Sequence, residues 1–259
     1  MVLLTEEDYS DLNEDYFNDL ADTLFNKCYL VANGSKWRLV EIEFYLNNEN
    51  HADPYVHCDP DQLLSHTFYF HRFKNRTYKS GTFKGMDITL GTYPNDPKFK
   101  PKKTDTKTYF GILIRSVQRI KTGEIIEGPC NTVNKLLEQY EFTKIDELTG
   151  GESLDLFEND QNFYLKFTKS LKSEKIYSGP RIGLSDKFME WRDLPYRYVI
   201  FKSSIKKRKQ LSKSLISDKL AIAYQQELFI RITCNINIIV KISWIISRII
   251  LRYCYCFII

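Results

Sequence analysis

Residues 28–46, CYLVANGSKWRLVEIEFYL, contain two β-rich runs joined by Asn33-Gly34. Asn-Gly between such runs is the strongest short-range signal for a β-hairpin, because both residues accept the positive φ angles of a type I′ turn. In the second run, Glu41 and Glu43 alternate with apolar residues, so both carboxylates point to the same face of the predicted strand. The stretch therefore predicts a hairpin whose second strand carries two acidic side chains on one face.

A helix is predicted before this hairpin. From Tyr16, apolar residues recur at helical spacing, and Asn13 is a candidate N-cap. The helix is expected to end near Lys27. Residues 1–15 are acidic and polar, and we interpret them as an N-terminal extension.

After the hairpin, the chain is typical of an antiparallel sheet. A polar loop at 47–66 is followed by three β-rich segments, at 66–73, 76–93 and 107–120. Gly128-Pro129 introduces a short helix over 131–140, the acidic segment 141–160 is interpreted as a mobile loop, and the last strand is expected over 196–201. The prediction is an α+β fold, a single mixed domain around a curved antiparallel β-sheet with flanking helices. Its expected bounds are 16–201.

Charge is unevenly distributed along the chain. Within the overall net charge of +4, residues 72–119 hold 12 Lys and Arg against three Asp. A face carrying these charges would bind phosphates, although long basic side chains that solvate a surface hairpin have the same composition.

Residues 202–259 form a C-terminal extension that is first basic and then rich in Ile. Its longest uncharged run after Ile232 is too short to span a bilayer. A cationic amphipathic helix carrying Lys241, Arg248 and Arg252 would give a weak contact with a membrane surface or a partner. The alternative is that this extension is not part of the functional fold.

Cysteine and histidine positions limit the possible chemistry. The six cysteines include no CxxC pair and the N-terminus has no signal-peptide pattern, which favours a reducing compartment, cytosol or nucleus, over secretion. All four histidines lie within residues 51–71, together with Cys58 and three aspartates. This cluster leaves a metal-dependent hydrolase as an alternative, although its spacing fits no metal motif.

The order of these segments resembles the alkyladenine (3-methyladenine, or methylpurine) DNA glycosylases. That family has a short helix, a hairpin and a strand of the form R-[IL]-V-E-x-E-x-Y-L, and RLVEIEFYL at 38–46 matches this form. GILIRS at 111–116, Gly128-Pro129 before a helix, and PRIGLSDKFMEWRDLPYRYV at 180–199 follow in the family's order. The resemblance spans 16–201. It implies a methylpurine-DNA glycosylase-like fold, a monomer that binds double-stranded DNA, and excision of a flipped alkylated purine without metal or cofactor.

The resemblance also implies roles for individual residues. Glu43 would be the general base, since a carboxylate can accept the proton of an attacking water and stabilise positive charge on the sugar, and Arg115 would assist it. Tyr45 would stack on the flipped base, with His57 and Arg181 in the same pocket. Independently of the resemblance, Phe83 at the tip of a Gly-flanked hairpin is the candidate wedge, because minor-groove proteins insert apolar side chains between base steps, and Lys84, Lys79 and Arg72 are the other expected DNA contacts.

Two departures from the family pattern concern base recognition. The family's pocket histidine falls on Pro54 here, so that His51 or His57 is the nearest substitute. The wedge tyrosine falls on Lys84 and a second stacking tyrosine on Gly81. The sequence therefore leaves the preferred base open, and a non-catalytic DNA-binding module of the same fold is the second alternative.

Overall fold

The structure, a computed structural model, describes residues 14–92, 107–157, 160–206 and 213–214. By its internal contacts the chain divides into two units, residues 1–215 and 216–259, and every described residue lies in the first. The predicted cap Asn13 and the Ile-rich part of the C-terminal extension lie outside the described residues. No helix in the described ranges is both long and apolar enough to cross a membrane.

The described residues form a mixed α/β fold with an open, many-stranded antiparallel sheet and few helices. The helices are α1 (Glu14–Asn26), α2 (Pro129–Glu138), α3 (Ile145–Thr149) and α4 (Met189–Arg192). The strands are β1 (Cys28–Ala32), β2 (Ser35–Asn47), β3 (Ser65–Phe70), β4 (Met86–Leu90), β5 (Tyr109–Arg119), β6 (Ile125–Glu127), β7 (Leu154–Asp155), β8 (Phe163–Phe167), β9 (Tyr177–Gly179), β10 (Arg197–Val199) and β11 (Lys213–Ser214).

The predicted hairpin is confirmed. Asn33 and Gly34 have φ angles of 45° and 77°, and β1 pairs with β2 from Leu30 opposite Trp37 to Ala32 opposite Ser35. β2 then continues as a central strand that pairs with β5 along most of its length and with β10 near its middle. The longest path through the sheet runs β11-β9-β10-β2-β5-β4-β3-β7.

The two faces of the sheet differ in character. On one face, Phe44 of β2 packs against α1, where the ring of Phe17 stacks on it with centroids 4.6 Å apart. Arg38 fastens the end of α1 to the sheet, since its Nε donates to the carbonyl of Phe25 and Nη2 donates to Asn26. The opposite face of β2 carries Glu41, Glu43 and Tyr45, as the alternation predicted.

Two predictions about secondary structure need correction. Residues 141–160 contain α3 and β7, because Ile145 and Leu148 are buried in the core and Gly150 ends the helix in the left-handed conformation. In the described part of the segment 76–93, residues 76–92, β4 is the only regular strand; before it, the chain forms a turn with a 3₁₀ helix at Gly81–Phe83. The helix at 129–138 and the strand at 197–199 are confirmed, and β11 lies beyond the predicted boundary at 201.

Candidate functional site

The site lies on the polar face of the sheet, on a row of residues from three neighbouring strands. Glu43 of β2 is in register with Leu113 of β5, and Leu113 is in register with Asp87 of β4. Side chains directly opposite each other in a sheet point to the same face. The row therefore places two carboxylates on either side of Leu113.

Glu43 is fully buried, with no exposed surface, and three donors hold its carboxylate. Oε1 accepts a hydrogen bond from the backbone N–H of Ile182 at 2.8 Å. Oε2 accepts one from the Tyr45 hydroxyl at 2.9 Å and one from Arg115 Nη1 at 3.2 Å. Burial raises the pKa of Glu43, while Arg115, the Ile182 amide and Tyr45 act in the opposite direction.

Arg115 bridges the two carboxylates of β2. Its Nε donates to Glu41 at 3.1 Å, while Nη1 reaches Glu43. Glu41 also accepts from Arg197 Nε at 2.7 Å and from the Ser116 hydroxyl at 2.6 Å. Burial lowers the pKa of Arg115, but the two carboxylates outweigh that effect and raise it overall. The two arginines and two glutamates thus form a buried cluster of balanced charge.

A local irregularity of the sheet positions Arg115. The register between β2 and β5 shifts between Leu39 and Glu41 and again between Glu41 and Ile42, so that Ser116 and Ile114 have partners on β2 while Arg115 falls between them. Bulges re-aim a side chain and are common next to active sites.

Arg181 lies behind the Tyr45 ring, with its guanidinium 4.6 Å from the ring centroid. It is buried and forms an ion pair with Asp53, which is also buried. Further hydrogen bonds join it to the carbonyls of Phe44 and Trp191. Arg181 therefore supports Tyr45 from behind and ties the loop that carries Asp53 to β2.

A cavity of about 200 Å³ opens in front of Tyr45 and Arg115. It is lined by rings, polar side chains and the backbone of one segment: Tyr45, Tyr55, His57, Gln62, His71, Asp87, Leu113, Arg115, Ile182, Gly183 and Leu184. Tyr45, Arg115 and Ile182 are also the partners of Glu43, whose carboxylate lies directly behind this wall. Gly183 has a φ of 82°, a conformation that a side chain at this position would strain.

Four polar side chains form one end of the cavity. His71 Nε2 lies 2.7 Å from Asp87 Oδ1, and Gln62 Nε2 donates to Asp87 Oδ2 at 3.3 Å. The ring of His57 meets the ring of His71 edge-on, with centroids 4.7 Å apart. Partial removal of water, the neighbouring His71 and the ammonium of Lys79 lower the pKa of His57 to about 4. His57 is therefore neutral near pH 7.

The four histidines lie in three separate places. His57 and His71 share the cavity, His51 packs against Trp191, and His66 packs against Phe157. Of the two candidates for the pocket histidine, His57 is thus the one that lines the cavity. In the part of the chain that the structure describes, no three His, Cys, Asp or Glu side chains form a group that could hold a metal ion.

The residues predicted to contact DNA differ in how exposed their side chains are and in whether other protein groups already bind them. Phe83 lies on the turn before β4, and its side chain is 70% exposed. Gly85 of the same turn packs against the His71 ring. Lys79 is partly buried, with Nζ 3.5 Å from His57 Nε2. Lys84 donates to Asn134 and to the carbonyl of Thr143.

Arg72 is the predicted phosphate contact whose surroundings fit that role least. Its guanidinium lies over the Tyr78 ring and donates to Asp61, to the Tyr78 hydroxyl, and to the carbonyls of Arg76 and Gly151. All of its nitrogens are therefore engaged within the protein. This geometry favours a structural role for Arg72, in which it holds the 71–79 segment against Asp61 and Gly151, rather than phosphate binding.

Of the site residues predicted from the sequence, Tyr45, His57 and Arg115 line the cavity, while Glu43 and Arg181 contact Tyr45 without lining it. The other lining residues were not assigned to the site: Tyr55, Gln62, His71, Asp87, Leu113, Ile182, Gly183 and Leu184. Leu113 and residues 182–184 lie within the segments GILIRS and PRIGL, whereas the remaining four carry no motif. Only a pairing register for β4 could have placed Asp87 beside β5.

No family model matches the chain. Uncharacterized protein L759 of Acanthamoeba polyphaga mimivirus is 98% identical to it over 215 residues, which are 83% of this chain and 100% of the mimivirus protein.

Proposed function

The chain belongs to the same family as uncharacterized protein L759 of the mimivirus, and we propose that it is a DNA glycosylase of the alkyladenine type. In this proposal it binds double-stranded DNA, flips a damaged purine into the cavity and hydrolyses the N-glycosidic bond. A carboxylate-activated water attacks the sugar, and no metal or cofactor takes part. The fold would then be methylpurine-DNA glycosylase-like.

One observation carries the proposal: Glu43 is held by Ile182, Tyr45 and Arg115, and these three residues also line the cavity. A general base needs an anchored carboxylate within reach of the reacting atoms. Here the anchors themselves face the space that a ligand would occupy. Burial raises the pKa of Glu43 overall, and the guanidinium of Arg115 acts against this by favouring the ionised form, which is the form able to accept a proton.

The rest of the cavity suits a flat, uncharged or cationic ring. Tyr45, Tyr55 and His57 supply aromatic surfaces, and the cavity is smaller than the roughly 300–1,000 Å³ typical of sites for drug-sized ligands. Phe83 is exposed on the turn that also contains Gly85, which lies against the His71 ring of the cavity, and an exposed apolar side chain can enter a base step of the duplex.

The reaction requires one movement. Because Glu43 has no exposed surface, a water can reach its carboxylate only after one of the groups that cover it moves, and in this proposal that group is the Tyr45 hydroxyl at Oε2. A base stacking on the Tyr45 ring would shift that ring and open this path. Because Glu43 is fully buried, a second candidate function is a module that binds DNA and flips bases without cleaving the glycosidic bond.

Base release distinguishes these two functions. The full chain is incubated in excess over duplexes that each carry one N3-methyladenine, 7-methylguanine, hypoxanthine or 1,N6-ethenoadenine, and alkali-labile abasic sites are counted over time. The glycosylase proposal predicts release of at least one of these bases and none from undamaged duplex. Binding to damaged duplex without any release would support the non-catalytic module instead.

A further inference from the structure

A lysine and a histidine lie side by side at one end of the cavity. Nζ of Lys79 is 3.5 Å from Nε2 of His57, whose ring lines the cavity. The backbone of Lys79 is fixed beside the cavity, because its N–H donates to the carbonyl of His71 at 2.8 Å. In the part of the chain that the structure describes, the Lys79 amine forms no ion pair with a carboxylate. The amine is therefore available to a ligand.

Contacts behind His57 hold its ring in place. The ring meets the His71 ring edge-on, with centroids 4.7 Å apart, and His71 Nε2 lies 2.7 Å from Asp87 Oδ1. His57 is neutral near pH 7, and its Nε2 accepts when Nδ1 carries the proton, which is the tautomer that suits the Lys79 donor. A nucleophile beside a base that a third group orients is the arrangement typical of covalent catalysis.

The chemistry of Lys79 suits an aldehyde. Lysine amines form imines with carbonyl compounds, and the uncharged amine is the reactive form. Partial burial lowers the pKa of Lys79, which increases the share of this form. The flexible four-carbon stem also lets Nζ move towards a group in the cavity.

The proposed base excision produces such an aldehyde. A deoxyribose that has lost its base opens to an aldehyde at C1′. Departure of the base also empties the cavity, so the opened sugar can turn C1′ into the space that His57 lines beside Lys79.

We propose that the chain has a second activity, cleavage of the DNA strand at abasic sites through a covalent imine on Lys79, with His57 as the base. This inference rests on the proposed function for the source of its substrate.

The reaction needs no oxidant or reductant. Nζ of Lys79 attacks C1′, and loss of one water gives a protonated imine. His57 Nε2 then removes a proton from C2′, the electron pair forms a C2′–C3′ double bond, and the C3′–O bond breaks as the phosphate leaves on the next nucleotide. Water hydrolyses the imine, which frees Lys79 and leaves an unsaturated aldehyde on the other fragment. Because C2′ is bonded to C1′, the imine on Nζ brings C2′ close to His57.

The test uses the full chain and a duplex with a preformed abasic site, made by removing uracil enzymatically. Sodium borohydride reduces the imine to a stable amine, which keeps the protein on the DNA in a denaturing gel. We expect the wild-type chain to form this adduct, mass spectrometry to locate it at Lys79, and the strand to be cleaved when borohydride is omitted. No adduct, or an adduct at another residue, would overturn the inference. This wild-type measurement does not depend on how well any variant folds.

Lys79→Arg distinguishes a nucleophile from a phosphate contact. Arginine keeps the positive charge but stays protonated and forms no imine, so adduct formation and strand cleavage should fall at least about tenfold while DNA binding is retained. Lys166→Arg, at an exposed lysine on β8, is the matched control and should leave both unchanged. An adduct yield in Lys79→Arg equal to that of the wild type would overturn the inference.

His57→Gln tests the base separately. The imine forms before His57 acts, so the adduct should persist while strand cleavage falls at least about tenfold. Unchanged cleavage would contradict the role of His57.

Because the abasic site is preformed, the two activities can fail independently. Release of damaged bases without an adduct on abasic DNA defeats this inference and leaves the glycosylase function intact. An adduct at Lys79 without release of any damaged base defeats the glycosylase proposal and leaves the strand cleavage intact.

Discussion

The Tyr45 hydroxyl donates a hydrogen bond to Oε2 of Glu43 at 2.9 Å. The two residues are neighbours on one face of β2, and the bond closes the cavity wall over the carboxylate. The bond also lowers the pKa of Glu43, against the larger effect of burial.

Tyr45→Phe should therefore move the pH dependence of base release. The substitution keeps the ring but removes the hydrogen bond, so the pKa of Glu43 rises further. Since the ionised carboxylate is the proposed base, activity is lost as the pH falls through this pKa, and the acid limb should shift to higher pH. The pH profile of kcat/KM between pH 4.5 and 8 measures the shift, because kcat/KM reports the free protein, in which this hydrogen bond is intact. An acid limb identical to that of the wild type would show that Tyr45 does not tune Glu43.

Arg115→Met should destabilise the fold. The guanidinium is mostly buried and pairs with Glu41 and Glu43, which are buried as well. Removing one member of a buried ion pair costs about 3–5 kcal/mol, because the remaining charge stays buried without compensation. Urea unfolding measures the loss at pH 7. Lys135→Met, at a surface ion pair on α2, is the control and should change stability by less than about 1 kcal/mol.

Phe83→Ala should reduce base release from duplex DNA without removing the catalytic activity itself. The side chain is 70% exposed, so stability should change by no more than about 0.5 kcal/mol. Release of the base from a duplex should fall several-fold more than release from a single strand, because only the duplex has a stack to open. Phe73→Ala, at another exposed phenylalanine, is the comparison. Equal losses on both substrates would exclude a wedge at Phe83.

His57→Gln should change how stability depends on pH. The pKa of His57 is lowered from 6.5 to about 4, so between these values the unfolded chain binds a proton at His57 that the folded protein does not. The wild type therefore loses stability relative to the variant as the pH falls from 6.5 towards 4, whereas above 6.5 their difference is constant. The groups around His57 that act on this proton are His71, Asp87, Lys79 and Asp59. Urea unfolding at pH 7.5, 5.5 and 4.5 measures the difference, and the same difference at all three values would contradict the assignment.

The sequence predicted those parts of the fold that depend on local signals. Asn33-Gly34 fixed the hairpin, and the alternation around Glu41 and Glu43 placed both carboxylates on one face. Gly128-Pro129 marked the start of α2. Each of these signals acts within a few residues, where turn geometry and periodicity decide the conformation.

The rest of the site depends on pairing between distant segments. Asp87 enters the cavity because β4 pairs with β5 in one register, and no residue near Asp87 specifies that register. Arg72 illustrates a second limit: its charge predicted a phosphate contact, but in the structure each of its three guanidinium nitrogens donates to a neighbour within the protein. Composition reports the charges of a segment and cannot report which partners these charges will meet.

The central claim is that Glu43 is the general base, and Glu43→Gln compared with Glu41→Gln tests it most directly. Both substitutions remove a buried carboxylate that pairs with Arg115, and both should reduce stability, so rates are expressed per folded molecule. Single-turnover base release from the best substrate duplex should fall about 10²–10⁴-fold in Glu43→Gln, the range attributed to general base catalysis, with DNA binding retained. In Glu41→Gln the fall should be several-fold smaller, because Glu41 is held by Arg197 and Ser116 and does not contact a residue of the wall other than Arg115. Full release by Glu43→Gln, or a larger loss in Glu41→Gln, would contradict the assignment of Glu43 as the base.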